Sequence, residues 1–520
     1  MNRTTLSLIA VATALAAVTG VAALTAPDGT APVATQLPTR LPVERAGLLC
    51  PVPSTSEVAE TAYTSYTPAS TNKGTGQTAG QTAGQPGEQK AAKAELKPAT
   101  AAALPGEDGS SDDKSKKPKA PKAPATVTQA GTPVTAEADG PDAPALIGTA
   151  SGALAPGWTV QQTTVVAAGG ARGLLGVSCT APDTDFWFPA ASTAKNRQDY
   201  VHLTNPDDSA AVADIELYGP DGVLKSQVTE GIPVPAHSSV PVLLPTLTTD
   251  PAQQDVTVHV TTRSGRVGAV VGVADEKAGS DWLPASADPA GTAVLPGIPA
   301  DATSVRLVAY APGDADADLK VQLVTPTGTI VPAGADILHV KSGMTAALDL
   351  PDLTRGEPGS LLLTPTDPKK ATPVVAALRV ARGKGDKQEV AFIPATAAIE
   401  GRATVADNRA KGATLVLTAP AASAEVRITA SAGSGGGTPV TKTVTVKGGT
   451  TLSMDAPVPD GLKGSYAITV ERLSGGPVHA SRTLALPQDG IPMFTVQPLV
   501  DDRGTVQVPK ARQDLTVLDD

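Results

Sequence analysis

The sequence predicts an all-β protein made of tandem antiparallel β-sandwich domains of the immunoglobulin-like type. An N-terminal export or anchor helix is expected before them, and a disordered insert interrupts the first. Three observations lead to this class. A repeat of about 106 residues runs along the chain, short runs alternate apolar with polar residues, and 50 Gly and 48 Pro among 520 residues interrupt the chain too often for long helices. An α/β enzyme fold fits this pattern poorly.

Residues 1–26 have the composition of an export segment. Arg3 is the single charged side chain in it, and the uncharged run from Leu6 to Ala26 is long enough to cross a bilayer. Small residues at Val21 and Ala23 suit a peptidase cut after Ala23. The segment is therefore either a cleaved signal peptide or an uncleaved anchor, and both place the rest of the chain outside the cytoplasm.

Three columns of the repeat agree with one another. The first consists of prolines spaced 106 and 108 residues apart: Pro206, Pro312 and Pro420. The second consists of Leu244-Pro245, Leu350-Pro351 and Ala456-Pro457. The third, interpreted as the start of each unit, consists of Trp187-Phe188-Pro189, Trp282-Leu283-Pro284 and Phe392-Ile393-Pro394. Such regular spacing is typical of tandem domains.

The repeat divides the chain into four predicted β-sandwich units, at residues 43–184, 185–280, 281–389 and 390–500, with a C-terminal tail over 501–520. Each unit contains strands that alternate with a period of two, such as Val256–Val260, Ala213–Leu217 and Leu319–Leu323. Alternation of this kind indicates antiparallel sheets that are buried on one face.

An insert over residues 68–142 interrupts the first unit. Its composition, with GQTAGQTAGQPG followed by KSKKPKAPKAP, offers too little apolar surface to offset the entropy of ordering the chain, so we expect it to be disordered. Its lysines could contact wall polyanions, although a solvated linker explains them more simply: Lys114, Lys116, Lys117, Lys119 and Lys122.

The two cysteines, Cys50 and Cys179, fall at the two ends of the interrupted first unit. Because the chain beyond the export segment lies in an oxidising compartment, we expect a disulfide between them that clamps this unit. Free thiols or an intermolecular bridge are the alternatives.

The sequence shows no catalytic, cofactor-binding or metal-binding constellation. Its five histidines share no repeat column and no metal-ligand spacing, so we interpret each as a solvent-facing residue: His202, His237, His259, His339 and His479. Aspartates occupy every second position at Asp314, Asp316 and Asp318, a spacing that calcium ligands can have. The solvent-exposed face of a strand explains the same spacing equally well. Trp158, Trp187 and Trp282 are expected to be packing residues.

Charge and aromatic content exclude other classes. A net charge of -10, from 41 Lys plus Arg and 51 Asp plus Glu, argues against nucleic-acid binding, which needs a basic face. Aromatic residues make up only 2% of the chain, which leaves little for a sugar-stacking platform.

The export segment, the Leu48-Leu49-Cys50-Pro51 opening and the repeated VHLTNP, GPDG and WLPA motifs resemble one family. It is the group of actinobacterial secreted or membrane-anchored proteins called domain-of-unknown-function 5719. The resemblance covers nearly the whole chain apart from the insert. It implies an extracytoplasmic protein of a high-GC Gram-positive organism and transfers no catalytic residue.

These observations predict a non-enzymatic cell-envelope protein, secreted or held at the membrane by a single N-terminal segment. We expect a rod of sandwich domains that acts as a spacer, a scaffold or a binding surface for an envelope protein or wall polymer. The alternatives are an adhesion or glycan-binding array, which an exposed aromatic pair would favour, and an enzyme or accessory subunit, which needs an acid pair or a histidine-carboxylate cluster.

Overall fold

The computed structural model describes residues 39–69, 92–102 and 125–508. The regular secondary structure of these residues is almost entirely β-strand, and their four 3-10 helices are Gly152–Leu154, Leu244–Leu247, Pro368–Lys370 and Gly385–Lys387. The all-β prediction is confirmed. None of the helices in the described ranges is long and apolar enough to cross a bilayer. The predicted export segment, residues 1–26, lies outside the described residues.

The described residues fall into two compact units. One is a two-stranded ribbon of β1 (Thr39–Pro42) and β39 (Thr505–Val508). The other extends from Pro42 to Gly504 and contains four pairs of sheets, which we number along the chain.

The first pair lies within residues 45–178. Its strands are β2 (Arg45–Cys50), β3 (Ala59–Tyr66), β4 (Ala94–Pro98), β5 (Thr100–Ala101), β6 (Thr126–Val127), β7 (Val134–Asp139), β8 (Leu146–Ser151), β9 (Thr159–Val166) and β10 (Gly173–Ser178). The sheet orders are β2-β8-β4-β6 and β10-β9-β3-β7, and β5 instead adds in parallel to an edge of the second pair.

The second pair lies within residues 185–283. Its strands are β11 (Asp185–Ala191), β12 (Arg197–Thr204), β13 (Ala211–Gly219), β14 (Gly222–Val223), β15 (Ile232–Val234), β16 (Ser238–Leu243), β17 (Val256–Ser264), β18 (Gly268–Asp275) and β19 (Gly279–Leu283). The sheet orders are β11-β17-β13-β14, where β15 also pairs with β13, and β19-β18-β12-β16-β5.

The third pair lies within residues 293–394. Its strands are β20 (Ala293–Ile298), β21 (Ala302–Tyr310), β22 (Ala317–Thr325), β23 (Gly328–Ile330), β24 (Ile337–Val340), β25 (Thr345–Asp349), β26 (Gly359–Pro365), β27 (Val375–Arg382) and β28 (Glu389–Pro394). The sheet orders are β20-β26-β22-β23, where β24 also pairs with β22, and β25-β21-β27-β28.

The fourth pair lies within residues 402–499. Its strands are β29 (Arg402–Asn408), β30 (Ala413–Ala419), β31 (Ala424–Ala430), β32 (Gly436–Thr438), β33 (Val440–Val446), β34 (Thr450–Asp455), β35 (Asp460–Lys463), β36 (Tyr466–Gly475), β37 (His479–Ala485) and β38 (Phe494–Leu499). The sheet orders are β29-β36-β31-β33 and β34-β30-β37-β38, with a small β32-β35 sheet beside them.

One topology therefore occurs four times. In each pair the first strand is an edge of one sheet and the last strand is an edge of the other, and the core between the two sheets is aliphatic. The structure shows the predicted alternation of buried and more exposed residues: on β13, every second residue from Ala211 to Gly219 is buried. Period-two patterning thus identified the faces of the strands.

The three motifs of the third repeat column do not occupy equivalent strands in the structure. Trp187-Phe188-Pro189 lies on β11, the first strand of its pair, whereas Trp282-Leu283 and Phe392-Ile393-Pro394 lie on β19 and β28, the last strands of theirs. The predicted boundaries at residues 280/281 and 389/390 consequently fall inside strands. The division into four domains itself stays a prediction.

The prediction of disorder over residues 68–142 is wrong for the part of it that the structure describes. Residues 92–102 and 125–142 contain β4 to β7, and Ala94, Leu96 and Val127 are fully buried beside Cys50. These few aliphatic side chains are enough because each completes an existing sheet. The rest of the insert, with its lysines, lies outside the described residues.

The last strands of the four pairs, β10, β19, β28 and β38, meet one another, and we call them the closing strands. β10 contacts β19, β19 contacts β28, β28 contacts β38, and β38 contacts β10. This closed circuit corrects the expected rod, since a linear array would keep the first and fourth pairs apart. The circuit positions the site described next.

Candidate functional site

The closing strands bring buried polar groups together, although each is the edge of its own sheet. An edge strand leaves backbone N–H and C=O groups without a neighbouring strand, and buried groups of this kind require partners. On β10 the partners are carboxylates from two other sheet pairs. We call this set the central junction: Arg172, Asp281, Glu389, Thr495 and the backbone of β10.

Asp281 on β19 is fully buried, and its Oδ1 accepts two hydrogen bonds. The backbone N–H of Gly176 donates at 3.0 Å and the hydroxyl of Thr495 on β38 donates at 3.1 Å. Burial raises the pKa of this carboxyl well above its ordinary value, and the nearby Glu389 raises it further. One side chain thus joins the first, second and fourth pairs.

Glu389 begins β28 and is also fully buried. Its Oε1 accepts from the backbone N–H of Leu174 at 2.9 Å, and its Oε2 lies 3.5 Å from the guanidinium of Arg172. Arg172 also donates to the carbonyl of Gln388 at 2.8 Å. Burial raises the pKa of Glu389 to about 8, against the lowering effect of the Leu174 amide and Arg172.

Gly176 permits this close approach. A Cβ at this position would lie 1.8 Å from Nε2 of Gln497 and 2.6 Å from the methyl group of Thr495. Any side chain larger than a hydrogen atom would force Gln497 and Thr495 on β38 to shift, and so would disturb the contact that closes the circuit.

Ion pairs hold the second and third pairs together farther out. Arg379 on β27 donates to Asp275 at 2.8 Å, and Arg306 on β21 forms two bonds with Asp255 at 2.8 and 3.0 Å. Beside Arg306 lies a shallow cleft of about 290 Å³. These two ion pairs join the second and third sheet pairs, and Arg306 also pairs with Asp349 of its own sheet at 2.7 Å.

The predicted disulfide between Cys50 and Cys179 is present. Cys50 ends β2 and Cys179 follows β10 directly, so the bond joins the two sheets of the first pair. It also anchors the strand that supplies Leu174 and Gly176 to the central junction. The structure therefore confirms the predicted disulfide.

The solvent-facing interpretation is wrong for three of the five histidines, His202, His259 and His479. His479 is buried, and its Nδ1 forms a 3.0 Å hydrogen bond with the Thr396 hydroxyl. His202 is half-buried, and its Nδ1 atom is enclosed while its ring lies beside Trp282. Burial lowers the pKa of both to about 4. Both lie on strands that are covered by another sheet pair.

The exposed His237 and His339, and the mostly buried His259 with a side chain 13% exposed, each contact a carboxylate. His237 lies 2.7 Å from Asp208, His339 lies 2.7 Å from Asp318 and 3.6 Å from Asp316, and His259 lies 3.3 Å from Asp185. Asp314, Asp316 and Asp318 are exposed, at the turn and first strand residues of β22. Within the described part of the chain, no group of three or more His, Cys, Asp or Glu side chains is placed to hold a metal ion.

All three tryptophans are buried, as predicted for packing residues. Trp187 stacks on His259 with 3.6 Å between ring centroids and contacts Tyr310 of the third pair at 5.4 Å. Tyr218 completes this cluster, 4.6 Å from Tyr310, and is half-buried. The cluster fills the space between the second and third pairs.

Sequence reasoning missed Asp281 and Glu389. A signal was present, because Asp281 interrupts the buried strand Gly279–Leu283 and Glu389 begins the buried strand Glu389–Pro394. An acidic residue on a strand that is buried throughout needs a partner from elsewhere in the fold. The identity of that partner depends on contacts more than 100 residues apart.

Comparison with known proteins identifies the family of this chain. A model of a family of unknown function, DUF5719, matches residues 134–457. The chain belongs to this family. The matched range begins at β7, includes Cys179, Asp281 and Glu389, and ends after β34. No curated protein and no solved structure matches the chain.

Proposed function

We propose that this DUF5719 protein is a non-enzymatic, extracytoplasmic cell-envelope protein of an actinobacterium. It acts as a closed scaffold of β-sheet pairs that presents binding surfaces to an envelope protein or wall polymer. It is either secreted or held at the membrane by its N-terminal segment.

One observation carries the scaffold role: the buried carboxylates Asp281 and Glu389 accept hydrogen bonds from the backbone of β10. Catalytic carboxylates must reach a substrate, whereas these two are fully buried between sheets. Their chemistry serves to close the circuit of sheet pairs. A rigid closed body suits a protein that holds partners at fixed positions.

Two further observations support the compartment. The disulfide Cys50–Cys179 is the kind of bond that persists in an oxidising environment. The apolar run from Leu6 to Ala26 has the composition of an export segment.

The adhesion or glycan-binding alternative needs exposed rings. Eleven of the thirteen aromatic side chains are buried, and Tyr200 and Tyr218 are half-buried. Because sugar rings stack on exposed aromatic faces, this distribution favours the scaffold over a glycan platform.

The localisation is tested by intact mass of the protein from the membrane and the culture fluid of its source. A mass that begins at Leu24, with two thiols that appear only after reduction, supports a released ectodomain. Full-length mass confined to the membrane supports an anchored scaffold. Recovery in the cytoplasm with free thiols contradicts the extracytoplasmic assignment.

The scaffold role is tested by cross-linking in intact cells, followed by identification of the linked partners. We expect discrete envelope partners that are lost when the circuit is opened by Gly176→Trp and retained with Gly170→Trp, a change in the same β-hairpin where a Cβ meets nothing within 4 Å. A reproducible hydrolase activity of the purified protein would overturn the non-enzymatic assignment.

A further inference from the structure

The outer edge of β13 is covered at both ends and open in the middle. β15 pairs with Ala211–Ala213 at the start of the strand, and β14 pairs with Tyr218–Gly219 at its end. Ile215 lies between them. Its N–H and C=O point toward the open edge, because every second residue of a strand presents its backbone groups to the same side and the carbonyl of Leu217 accepts from Leu224 there at 2.8 Å.

The third sheet pair shows the same edge in a closed form. Val321 on β22 is the repeat equivalent of Ile215, and its N–H donates to the carbonyl of Asp336 at 2.9 Å. The equivalent carbonyl in the second pair, that of Glu230, accepts from Arg263 at 3.4 Å instead. Among the described residues, no backbone group of the loop between β14 and β15 bonds to Ile215.

Two sets of contacts hold this loop away from β13. The guanidinium of Arg263 donates to the carbonyls of Thr229 and Glu230 at 3.3 and 3.4 Å. Earlier in the loop, the N–H of Gln227 donates to the carbonyl of Leu247 at 2.9 Å. A pocket of about 230 Å³ remains between the loop and the open edge of β13.

The charges around the pocket favour a neutral ligand. Asp214 and Arg263 pair with each other at 2.6 Å. Glu216 is the other charged residue of the lining, and its side chain, which accepts from the Tyr218 hydroxyl at 2.7 Å, is 54% exposed. A carboxylate that solvent screens adds little affinity for a cation, and it repels an anion that enters the pocket.

We propose that this pocket binds a primary carboxamide, in the form of a glutamine side chain of a partner protein. The oxygen and one N–H of such a group lie on the same side, so they accept from the N–H and donate to the C=O of Ile215 together. A single secondary amide is excluded, because a trans peptide unit directs its N–H and C=O in opposite directions. The methylene groups of the glutamine stem pack against Val228, Ile232 and Leu247.

The positions of β14 and β15 decide between a side chain and an added strand. An added strand needs several consecutive open residues along an edge, and here the two neighbouring strands block it on both sides of Ile215. A pendant side chain enters from solvent and needs only the one open residue. The pocket supplies the proposed scaffold with one binding surface, so its natural ligand rests on that proposed function.

Nuclear magnetic resonance of the full chain labelled with ¹⁵N-isoleucine tests the pocket, and loss of one signal in Ile215→Val identifies the Ile215 N–H. We expect N-acetyl-glutamine N-methylamide to shift the Ile215 and Ile232 signals saturably, while Ile393, buried in the third pair, stays unchanged. The matching glutamate compound should bind about tenfold more weakly at neutral pH, because its carboxylate cannot donate to the Ile215 carbonyl and is repelled by Glu216.

Two variants separate the pocket from nonspecific binding. Val228→Asp places a charge where the glutamine stem packs and should weaken binding by about tenfold. Val331→Asp, in the loop of the third pair, whose edge is closed, should leave binding unchanged. The valines are 39% and 56% exposed, so both variants should fold.

Three results would overturn the pocket: no saturable shift, equal binding of the glutamine and glutamate compounds, or unaltered binding in Val228→Asp. Tighter binding of uncapped glutamine would make a free amino acid the ligand and overturn the partner side chain. Partners captured in cells by a protein that binds no capped glutamine would reject the pocket alone. Binding of capped glutamine without captured partners would reject the scaffold role alone.

Discussion

The carboxylate of Asp281 on β19 accepts a hydrogen bond from the backbone N–H of Gly176 on β10, at 3.0 Å. This bond gives an edge strand of the first sheet pair a partner from the second pair. Together with the Thr495 and Glu389 contacts, it converts four sheet pairs that follow one another along the chain into a closed circuit.

Gly176→Ala should destabilise the protein, because its Cβ would lie 1.8 Å from Gln497 Nε2 and displace β38. Overpacking of this kind costs about 1 to 3 kcal/mol in the free energy of unfolding. Urea denaturation measures the loss. Gly170→Ala is the matched control, since a Cβ there meets nothing within 4 Å. Equal stability of the two variants would show that β38 does not pack against Gly176.

Stability should fall as the pH rises from about 6.5 to about 8, because below this range His202 and His479, whose pKa burial lowers from 6.5 to about 4, act in the opposite direction. The folded state raises the pKa of Glu389 from 4.5 to about 8, so within this window the folded protein binds more protons than the unfolded chain. Asp281, whose pKa burial also raises, acts in the same direction. Urea midpoints at constant ionic strength from pH 5 to pH 9 measure the slope.

Glu389→Gln should flatten that slope, because glutamine cannot lose a proton. Glu425→Gln, at an exposed position on β31, should retain the slope of the unaltered protein. A slope that is the same in all three proteins would mean that Glu389 is not the group that titrates in this window.

Reduction of the Cys50–Cys179 bond should lower the free energy of unfolding by about 3 to 5 kcal/mol, since it releases a loop with a sequence separation of 129. Denaturation with and without reductant measures this loss. Reductant should have no effect on a Cys50→Ala, Cys179→Ala double variant. An unchanged midpoint after complete reduction, verified by mass, would contradict the clamp.

Asp199→Asn should be strongly destabilising. Asp199 is fully buried and accepts from Arg197 at 2.6 and 3.1 Å, while that guanidinium lies 5.7 Å above the ring of Phe392 in the third pair. Removing one partner of a buried ion pair leaves an uncompensated charge and costs about 3 to 5 kcal/mol. Thermal and urea unfolding measure the difference.

Asp214→Asn provides the surface comparison. Asp214 pairs with Arg263 at 2.6 Å, but the arginine side chain is 52% exposed and solvent screens the pair, so the loss should be far smaller than that of Asp199→Asn. Similar losses in Asp199→Asn and Asp214→Asn would show that burial does not decide the strength of these pairs.

The class of fold follows from local patterns that need no knowledge of contacts. Alternation in Ala213–Leu217 and Leu319–Leu323 reflects the two faces of a strand, and the spacing of Pro206, Pro312 and Pro420 reflects tandem repetition. The Cys50–Cys179 bond was predictable because the chain contains only two cysteines, which leave one intramolecular pairing. The strands of residues 92–102 were missed because their few aliphatic residues carry too weak a pattern.

Only the tertiary structure decides which edges meet. The repeat alone is consistent with a rod or a circuit, since each unit contains the same strands in both. Whether the units form a rod or a circuit depends on the backbone donors that bind the two buried carboxylates. Asp281 accepts from Gly176, 105 residues away, and Glu389 accepts from Leu174, 215 residues away. The all-β class, the repeat and the disulfide could be predicted from the sequence, because they arise from local periodicity and from residue chemistry. The buried central junction arises from packing between distant parts of the chain, which no local pattern records.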